Sequence, residues 1–422
     1  MNFLISANKF TLSFKLFALG IFFLASAPFV SCILFIYPLL VGILKSRAKL
    51  FSDKFNIFFP LISLIMIGRV LLNKTHYLVN NGTYDYSTNW LDLFNWVLIF
   101  ACFFGFQYYL STKNNRVIIA KIFVAGTIPV LISCIGQYWF NWYGPFEILN
   151  GLIKWFQRPL YDNKNVTGLF NNPNYTGAWL TMIFPLAIVI LKEKFSLKNR
   201  LKANITLLIS IFFSTSTILT NSRAALLGLF IPIPFIYGKK SFFFILTLIS
   251  ILIFFIFLSI LPFMPKQLVN FSNSIVPINI SDNFSDIILS FDTYPRLSIW
   301  REAIKLSIEK PFWGWGPGAF PDLYLIKSGF FNNHAHNLFL ELSVSYGIFV
   351  PILLYSAIFN LLLNGYRTLF SYKESLLSLD RGWLAGGFTF LFAQLYDVLY
   401  FDVRINLASW IFLAAIRCII LE

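Results

Sequence analysis

Residues 241–263 read SFFFILTLISILIFFIFLSILPF and contain no charged side chain. A helix needs about 20 apolar residues to cross the hydrocarbon core of a bilayer, so this stretch predicts a membrane-spanning helix. Comparable apolar segments recur along the chain and give twelve candidate spans. They lie near residues 10–27, 29–45, 55–73, 93–111, 117–139, 177–192, 203–219, 222–238, 241–263, 338–364, 382–400 and 403–420.

The composition of the whole chain agrees with a membrane protein. Hydrophobic residues make up 58% of the chain and charged residues only 12%, with a mean hydropathy of +0.72. Soluble domains average roughly 25% charged residues. A water-soluble fold is therefore excluded, and we predict an all-α polytopic membrane protein with twelve transmembrane helices.

The basic residues indicate the orientation of the chain in the bilayer. The formal net charge is +15, but the lysines and arginines cluster in short segments between alternate spans, as the positive-inside rule predicts. We therefore expect a lipid bilayer as the partner, no nucleic acid, and both ends in the cytoplasm. Pro28 marks either a hairpin between the first two spans or a kink in one long helix. The second alternative would place the N-terminus on the other side of the membrane and leave the remaining topology unchanged.

Two external segments are longer than a simple connection requires, residues 140–176 and 264–337. Long loops without repeats are usually functional or disordered. The second loop contains a predicted amphipathic helix near residues 296–308, which favours an ordered cap. We divide the chain into N-terminal spans (1–164), central spans (165–263), the external loop (264–337) and C-terminal spans (338–422).

A histidine pair, His334-Ala335-His336-Asn337, directly precedes the tenth predicted span. Histidine can hold or release a proton near neutral pH. No further histidine, cysteine or carboxylate cluster adjoins the pair in the sequence, so we predict no metal site and no cofactor. Taken alone, the residues fit best a polar helix start in which Asn337 is the N-cap.

Four charged residues lie near or inside apolar segments. Arg223 opens the eighth predicted span after a short external turn, and charges so close to a membrane are costly and tend to be functional. The alternative is an arginine that snorkels to the interface. Arg296 lies in the external loop, where a solvated surface charge is the alternative. Arg69 and Asp397 fall within predicted spans, and each has either a substrate role or a structural ion pair.

Glycines and aromatic residues form two further motifs. Residues 311–320 read PFWGWGPGAF, and glycine permits close approach of the backbone. Trp313 and Trp315 can stack on a sugar or anchor the chain at the membrane interface, and both alternatives are open. Upstream, residues 168–177 read GLFNNPNYTG and place the amides of Asn172 and Asn174 at the start of the sixth span.

Taken in order, these motifs resemble the O-antigen ligase and polymerase superfamily of bacterial envelope glycosyltransferases. The resemblance covers residues 165–350, whereas the segment 1–110 matches only in being hydrophobic. The motifs that carry it are Asn172-Pro173-Asn174, Ser222-Arg223, Arg296 followed by Trp300, Gly314-Trp315-Gly316-Pro317-Gly318, and His334-Ala335-His336-Asn337-Leu338 with Glu341.

The resemblance implies a GT-C-like fold in the bacterial inner membrane, with a catalytic external loop at the periplasmic face. It implies an undecaprenyl-diphosphate-linked glycan as donor, held by Arg223 and Arg296, and a histidine, His336, that is essential for transfer. We expect a metal-independent, inverting reaction. The residues predicted to bind substrate are His334, Asn337, Trp313, Trp315, Asn172, Asn174 and Arg69.

The acceptor distinguishes several alternatives. A ligase transfers the glycan to lipid A–core, a polymerase to another glycan, and an oligosaccharyltransferase to a protein. The ligase signature has a second glycine after the one matched by Gly347, but Val350 and Pro351 occupy that neighbourhood. This departure weakens the choice of ligase over polymerase. A transporter or flippase of lipid-linked glycans is the alternative from a different class, although the chain shows no evident internal repeat.

Overall fold

A computed structural model of the chain describes residues 11–47, 52–72, 78–79, 82–83, 87–151, 153–160, 165–196, 200–260, 265–275, 295–371 and 379–422. The predicted external loop is thus described in part, because residues 264 and 276–294 lie outside these ranges. Within the described residues almost all regular structure is helical, which confirms the predicted all-α class.

The first helices, numbered in chain order, are α1 (Leu12–Phe23), α2 (Pro28–Ser46), α3 (Lys54–Leu72), α4 (Ser87–Leu110), α5 (Lys113–Phe140), α6 (Pro173–Ser196), α7 (Arg200–Leu219), α8 (Arg223–Gly228) and α9 (Ile233–Tyr237). They are followed by α10 (Lys239–Ile260), α11 (Lys266–Ile275), α12 (Pro295–Glu309), α13 (Phe320–Ser328), α14 (Leu338–Tyr346), α15 (Phe349–Ser371), α16 (Asp380–Ala393) and α17 (Val403–Leu421). Two short antiparallel pairs join β1 (Leu78–Val79) to β2 (Gly82–Thr83) and β3 (Phe146–Ile148) to β4 (Ile153–Trp155).

Eight helices of the described chain, α2–α7, α15 and α17, are long and apolar enough to cross a membrane. The protein is therefore a polytopic membrane protein. Each of the twelve predicted segments is helical over at least part of its length, including residues 241–260 of the stretch quoted first, which lie in α10. The number of twelve spans stays a prediction, because α1 and the α8–α9 segment are shorter apolar helices.

Three predicted spans are interrupted in the structure. The segment 222–238 divides into α8 and α9 around residues 229–232, where Pro232 lacks the amide hydrogen that a continuous helix would use. The segment 338–364 divides at Gly347, whose φ is +86°. The segment 382–400 leaves the α-helix after Ala393. Hydropathy did not reveal the first two breaks, because apolar residues continue through them, whereas the third contains Gln394 and Asp397.

The core of the bundle surrounds α17, which packs against α4, α6, α15 and α16. Trp179, Trp383 and Phe412 are fully buried there. At the end of the bundle predicted to be cytoplasmic, two buried ion pairs tie helices together. Arg116 Nε lies 2.8 Å from Asp380 Oδ1, and Arg417 Nε lies 2.6 Å from Asp53 Oδ2.

At the opposite end a small cap has its own hydrophobic core. The predicted amphipathic helix is present as α12, and its Ile299, Ala303 and Leu306 pack with Phe320 of α13 and Val344 of α14. The glycine-rich residues 311–318 are bonded to the break between α14 and α15. Trp315 N donates to Val344 O at 2.7 Å, and Gly316 N donates to Ser345 O at 3.0 Å. The cap is therefore joined through main-chain hydrogen bonds to the end of α14, directly before the membrane-spanning helix α15.

Candidate active site

The helix ends below the cap form a pocket. Asn174 comes from the start of α6, Ser222 from the turn before α8, Arg296 from α12, and Tyr396 and Asp397 from the segment between α16 and α17. Four distant parts of the sequence thus meet at one place. Leu399 and small residues of α6, α8 and α16 line the remainder, and the small residues are Ala178, Thr181, Ala224, Ala225 and Ala393.

The two histidines of the His-Ala-His motif converge on the carboxylate of Asp397. His336 Nδ1 lies 3.2 Å from Asp397 Oδ1, and His334 Nε2 lies 3.6 Å from the same oxygen. Val398 N also donates to that oxygen at 2.9 Å. Because the carboxylate accepts, the proton between it and His336 belongs on Nδ1 of the imidazole, which leaves Nε2 as the basic nitrogen.

The backbone around His336 is held in an unusual conformation. The φ of His336 is 48 degrees, in the left-handed region that non-glycine residues rarely adopt. Trp300 Nε1 donates to His336 O at 3.3 Å. Asn337 caps α14 by accepting from Leu340 N at 3.1 Å, which confirms the predicted N-cap, and its amide donates to Leu395 O at 3.0 Å. The histidine is therefore fixed to both the cap and the segment that carries Asp397.

The imidazole of His334 is neutral at neutral pH. Burial lowers the pKa of His334 to about 4, although the neighbouring carboxylate of Asp397 opposes this shift. His336 N donates to His334 Nδ1 at 3.3 Å. An accepting Nδ1 must carry a lone pair, so the proton of the ring lies on Nε2, which faces Asp397. His334 is thus a neighbour of the Asp397 carboxylate that carries no charge at neutral pH.

A second buried carboxylate lies behind the histidines. Asp92 of α4 accepts from Tyr346 Oη at 2.7 Å and from Tyr400 Oη at 2.6 Å. Tyr346 ends the helix that begins just after His336, and Tyr400 follows Asp397 closely. We call Asp92, Tyr346 and Tyr400 the tyrosine clamp. It joins the two segments that carry the His336–Asp397 pair.

The three arginines predicted to act on the substrate differ in their positions relative to the pocket. Arg296 lines the pocket. Arg223 is exposed, and the residues on either side of it, Ser222 and Ala224, line the pocket, so it lies at the edge. Arg69 is buried and its Nη2 donates to Gly314 O at 2.7 Å. It holds the cap backbone, and its predicted contact with substrate stays a prediction.

The other predicted substrate residues are also dispersed. Asn174 lines the pocket, whereas Asn172 begins α6 and its side chain accepts from Asn174 N at 2.8 Å. Trp313 is 57% exposed and accessible to a ligand from solvent. Trp315 is partly buried in the cap, where its indole donates to Leu306 O at 2.9 Å. Asn174 and Trp313 are therefore the better-placed members of this set.

Asp397 was not recognised as the partner of the histidines. The sequence showed only an acidic residue inside a predicted span, which is a signal of function. No carboxylate cluster adjoins the pair in the sequence, but the chain returns through α16 and brings the single carboxylate of Asp397 back to the histidines. The ligand atoms of His334, His336 and Asp397 lie within 4.8 Å of one another, a separation at which they could hold a divalent cation.

The fold and the pocket together define a class: an integral membrane protein whose arginines, histidines and carboxylate meet at the ends of its helices. The comparison with protein families is more specific. Residues 207–355 match the family model described as O-antigen ligase, and this region contains Arg223, Arg296 and His336. The predicted resemblance to this family is therefore confirmed for residues 207–355. A comparison with curated proteins gave no match.

Proposed function

We propose that the chain is an inner-membrane glycosyltransferase of envelope polysaccharide or lipopolysaccharide biosynthesis. It transfers a glycan from an undecaprenyl-diphosphate donor to an acceptor at the periplasmic face. The observation that carries this proposal is the 3.2 Å contact between His336 Nδ1 and Asp397 Oδ1 beside a pocket that Arg296 also lines. The family match supports a membrane enzyme of the ligase or polymerase kind.

The arginines provide the charge that the donor needs. As the bond between the sugar and the diphosphate breaks, its electron pair goes to the phosphate oxygen. A guanidinium is permanently charged and grips phosphate oxygens through two parallel hydrogen bonds. Arg296 from the cap and Arg223 from the edge of α8 lie on different elements, and preorganised positive charges stabilise the negative charge that develops on the leaving diphosphate.

His336 activates the acceptor. Asp397 receives the Nδ1 proton in a hydrogen bond and orients the ring, so Nε2 can take the proton of the acceptor hydroxyl. The acceptor oxygen then forms its bond to the anomeric carbon while the lipid diphosphate leaves with the electron pair. Attack opposite the leaving group inverts the configuration of that carbon. These residues need no metal ion or other cofactor for this reaction.

The remaining residues fit binding roles in the same reaction. The loop 264–337, together with the spans on either side, forms the catalytic part. His334 and Asn337 shape the histidine segment, Asn174 offers a hydrogen bond inside the pocket, and Trp313 offers an exposed ring to a sugar. We place lipid A–core first among acceptors because of His336, Asn337 and Gly347, and a growing glycan second.

The proposal is tested by transfer with the purified protein in detergent. Undecaprenyl-diphosphate glycan is the donor, and lipid A–core, a second donor molecule and an acceptor protein are supplied in separate reactions. Product on lipid A–core makes the chain a ligase, elongated lipid-linked glycan makes it a polymerase, and glycosylated protein makes it an oligosaccharyltransferase. No transfer to any acceptor, with donor crossing a proteoliposome bilayer instead, would overturn the enzyme in favour of a transporter.

Three variants examine the residues. His336→Ala should lower the rate of transfer by about 10²–10⁴-fold, the usual contribution of a general base. Arg296→Ala should weaken use of the donor, whereas Arg301→Ala, at an exposed arginine on the same helix, should not. Full activity of the His336→Ala protein would rule out His336 as the base.

A further inference from the structure

Residues 139–156 carry an exposed apolar surface at the same end of the bundle as the pocket. We call this segment, which contains β3 and β4, the interface hairpin. Within its described residues, 139–151 and 153–156, eight large hydrophobic side chains are between 40% and 67% accessible. They are Trp139, Phe140, Trp142, Tyr143, Phe146, Ile148, Leu149 and Phe156.

The interface hairpin is held in place by specific contacts. Phe146 pairs with Trp155 and Ile148 with Ile153 across the two strands. Trp155 Nε1 donates to Ser26 O in the turn between α1 and α2 at 2.5 Å. Gln157 Nε2 donates to Ser133 O of α5 at 3.0 Å. The apolar surface therefore belongs to an ordered element with a fixed position.

This surface continues the outer face of a membrane helix. Ile128, Ile132 and Trp139 are exposed along one side of α5, which is long and apolar enough to span a bilayer. Residues facing outwards from a spanning helix contact lipid. The interface hairpin continues that row beyond the helix end with Phe140, Trp142 and Tyr143, and the exposed polar residues Asn141 and Glu147 lie among these apolar side chains.

We infer that the interface hairpin lies in the bilayer surface, with its aromatic and aliphatic side chains at the boundary between headgroups and acyl chains. Apolar patches of this kind are unfavourable in water, and tryptophan and tyrosine favour the membrane interface. The charged residues of the hairpin agree with this location, because Lys154 Nζ lies 3.6 Å from Glu147 Oε2 and 5.2 Å from the centre of the Phe156 ring, so this ion pair can lie among the lipid headgroups while the rings face the acyl chains. The partner is thus the lipid of one leaflet.

The interface hairpin also connects the bilayer surface to the pocket. Arg158, just after β4, donates through Nε to Asn171 Oδ1 at 2.8 Å. The next residue, Asn172, begins α6 and bonds to the backbone of Asn174, which lines the pocket. A hairpin fixed in the headgroup layer would set the height of the pocket relative to the lipid phosphates, where a lipid-linked diphosphate must lie.

Spin labelling in proteoliposomes of phosphatidylethanolamine and phosphatidylglycerol tests this location. Nitroxides are placed through Ile148→Cys and Leu149→Cys in a Cys32→Ser background, since the other three cysteines are buried. Collisions with oxygen, which enters the bilayer, are compared with collisions with a water-soluble nickel chelate. Ile132→Cys provides the lipid-facing reference, and Lys305→Cys, on the exposed face of α12, provides the aqueous reference.

We expect the ratio of oxygen to nickel collisions at positions 148 and 149 to be severalfold above that at position 305 and close to that at position 132. A ratio equal to that at position 305 would place the hairpin in water and overturn the inference. Dipolar broadening between labels on two molecules, with both reagents excluded, would show that a second copy covers the surface, and would overturn it as well. The measurement requires no transfer activity, so its outcome is independent of the proposed reaction.

Discussion

Removing one hydroxyl from the tyrosine clamp should destabilise the protein measurably. Asp92, Tyr346 and Tyr400 are 5%, 2% and 1% exposed, so water cannot replace a lost hydrogen bond. A hydrogen bond to a charged group contributes about 1.5–3 kcal/mol, and a buried partner left unsatisfied costs a similar amount. We therefore expect Tyr400→Phe to lower the free energy of unfolding by about 1.5–3 kcal/mol.

A combination of substitutions separates the clamp from simple loss of packing. Asp92→Leu alone leaves two buried hydroxyls without their acceptor and should be strongly destabilising. The triple variant with Tyr346→Phe and Tyr400→Phe removes both hydroxyls together with the carboxylate, and should regain most of that loss because matched apolar replacement of buried polar groups is often nearly neutral.

The assay follows thermal exposure of the three buried cysteines with a thiol-reactive fluorophore in detergent. Tyr366→Phe is the matched control, because its ring stacks on Phe370 and its hydroxyl bonds to none of the described residues. Equal stability of Tyr400→Phe and Tyr366→Phe, or a triple variant less stable than Asp92→Leu, would refute the reasoning. Transfer should also slow in Tyr400→Phe, because Tyr400 fixes the segment of Asp397.

Three further results are expected. Because His334 has a pKa of about 4 when folded and about 6.5 when unfolded, the unfolded chain binds more protons between these values. Stability should fall by up to about 3 kcal/mol as the pH decreases from about 6.5 to about 4, and this slope should disappear in His334→Gln. Chelation with EDTA should leave transfer unchanged, because the proposed reaction relies on the charges of Arg223 and Arg296 and on His336 as the base, and a loss restored by added zinc or manganese would contradict a metal-free reaction. Gly347→Ala should destabilise the protein by several kcal/mol, because its Cβ would lie 2.3 Å from Phe312 O. Gly329→Ala, also at positive φ but in open space, should cost only about 1–2 kcal/mol. Equal unfolding temperatures for these two variants would argue against the close contact.

The apolar runs predicted the helices well, because an uncharged stretch such as residues 241–260 has few alternatives to a helix in a membrane. The breaks were harder to predict. Gly347 and Pro232 interrupt helices within segments that remain apolar, so hydropathy alone cannot locate them. Their positions depend on backbone contacts with distant residues, such as the hydrogen bond from Ile348 N to Pro311 O.

The candidate site was predictable in its parts more than in its arrangement. The sequence motifs selected His336 and Arg296, and the structure places Arg296 in the same pocket as the histidines' partner, Asp397. The pairing of His336 with Asp397 could not be predicted from the motifs, because it depends on how the chain folds back through α16. Asp397 lies in the connection between α16 and α17, and this path brings it to the pocket. Trp315 shows the opposite case, because a motif typical of ligand contact also forms packing inside the cap.

The hydrogen bonds between the glycine-rich segment and Val344 and Ser345 impose an order on biogenesis. During synthesis, residues 295–335 leave the ribosome before α14, yet the small core of the cap includes Val344 of that helix. The cap must therefore wait for the next membrane segment before its backbone donors and apolar side chains find their partners. Until then this part of the chain is open to a protease or a chaperone, and the packing of α14 against the cap is the event that closes it.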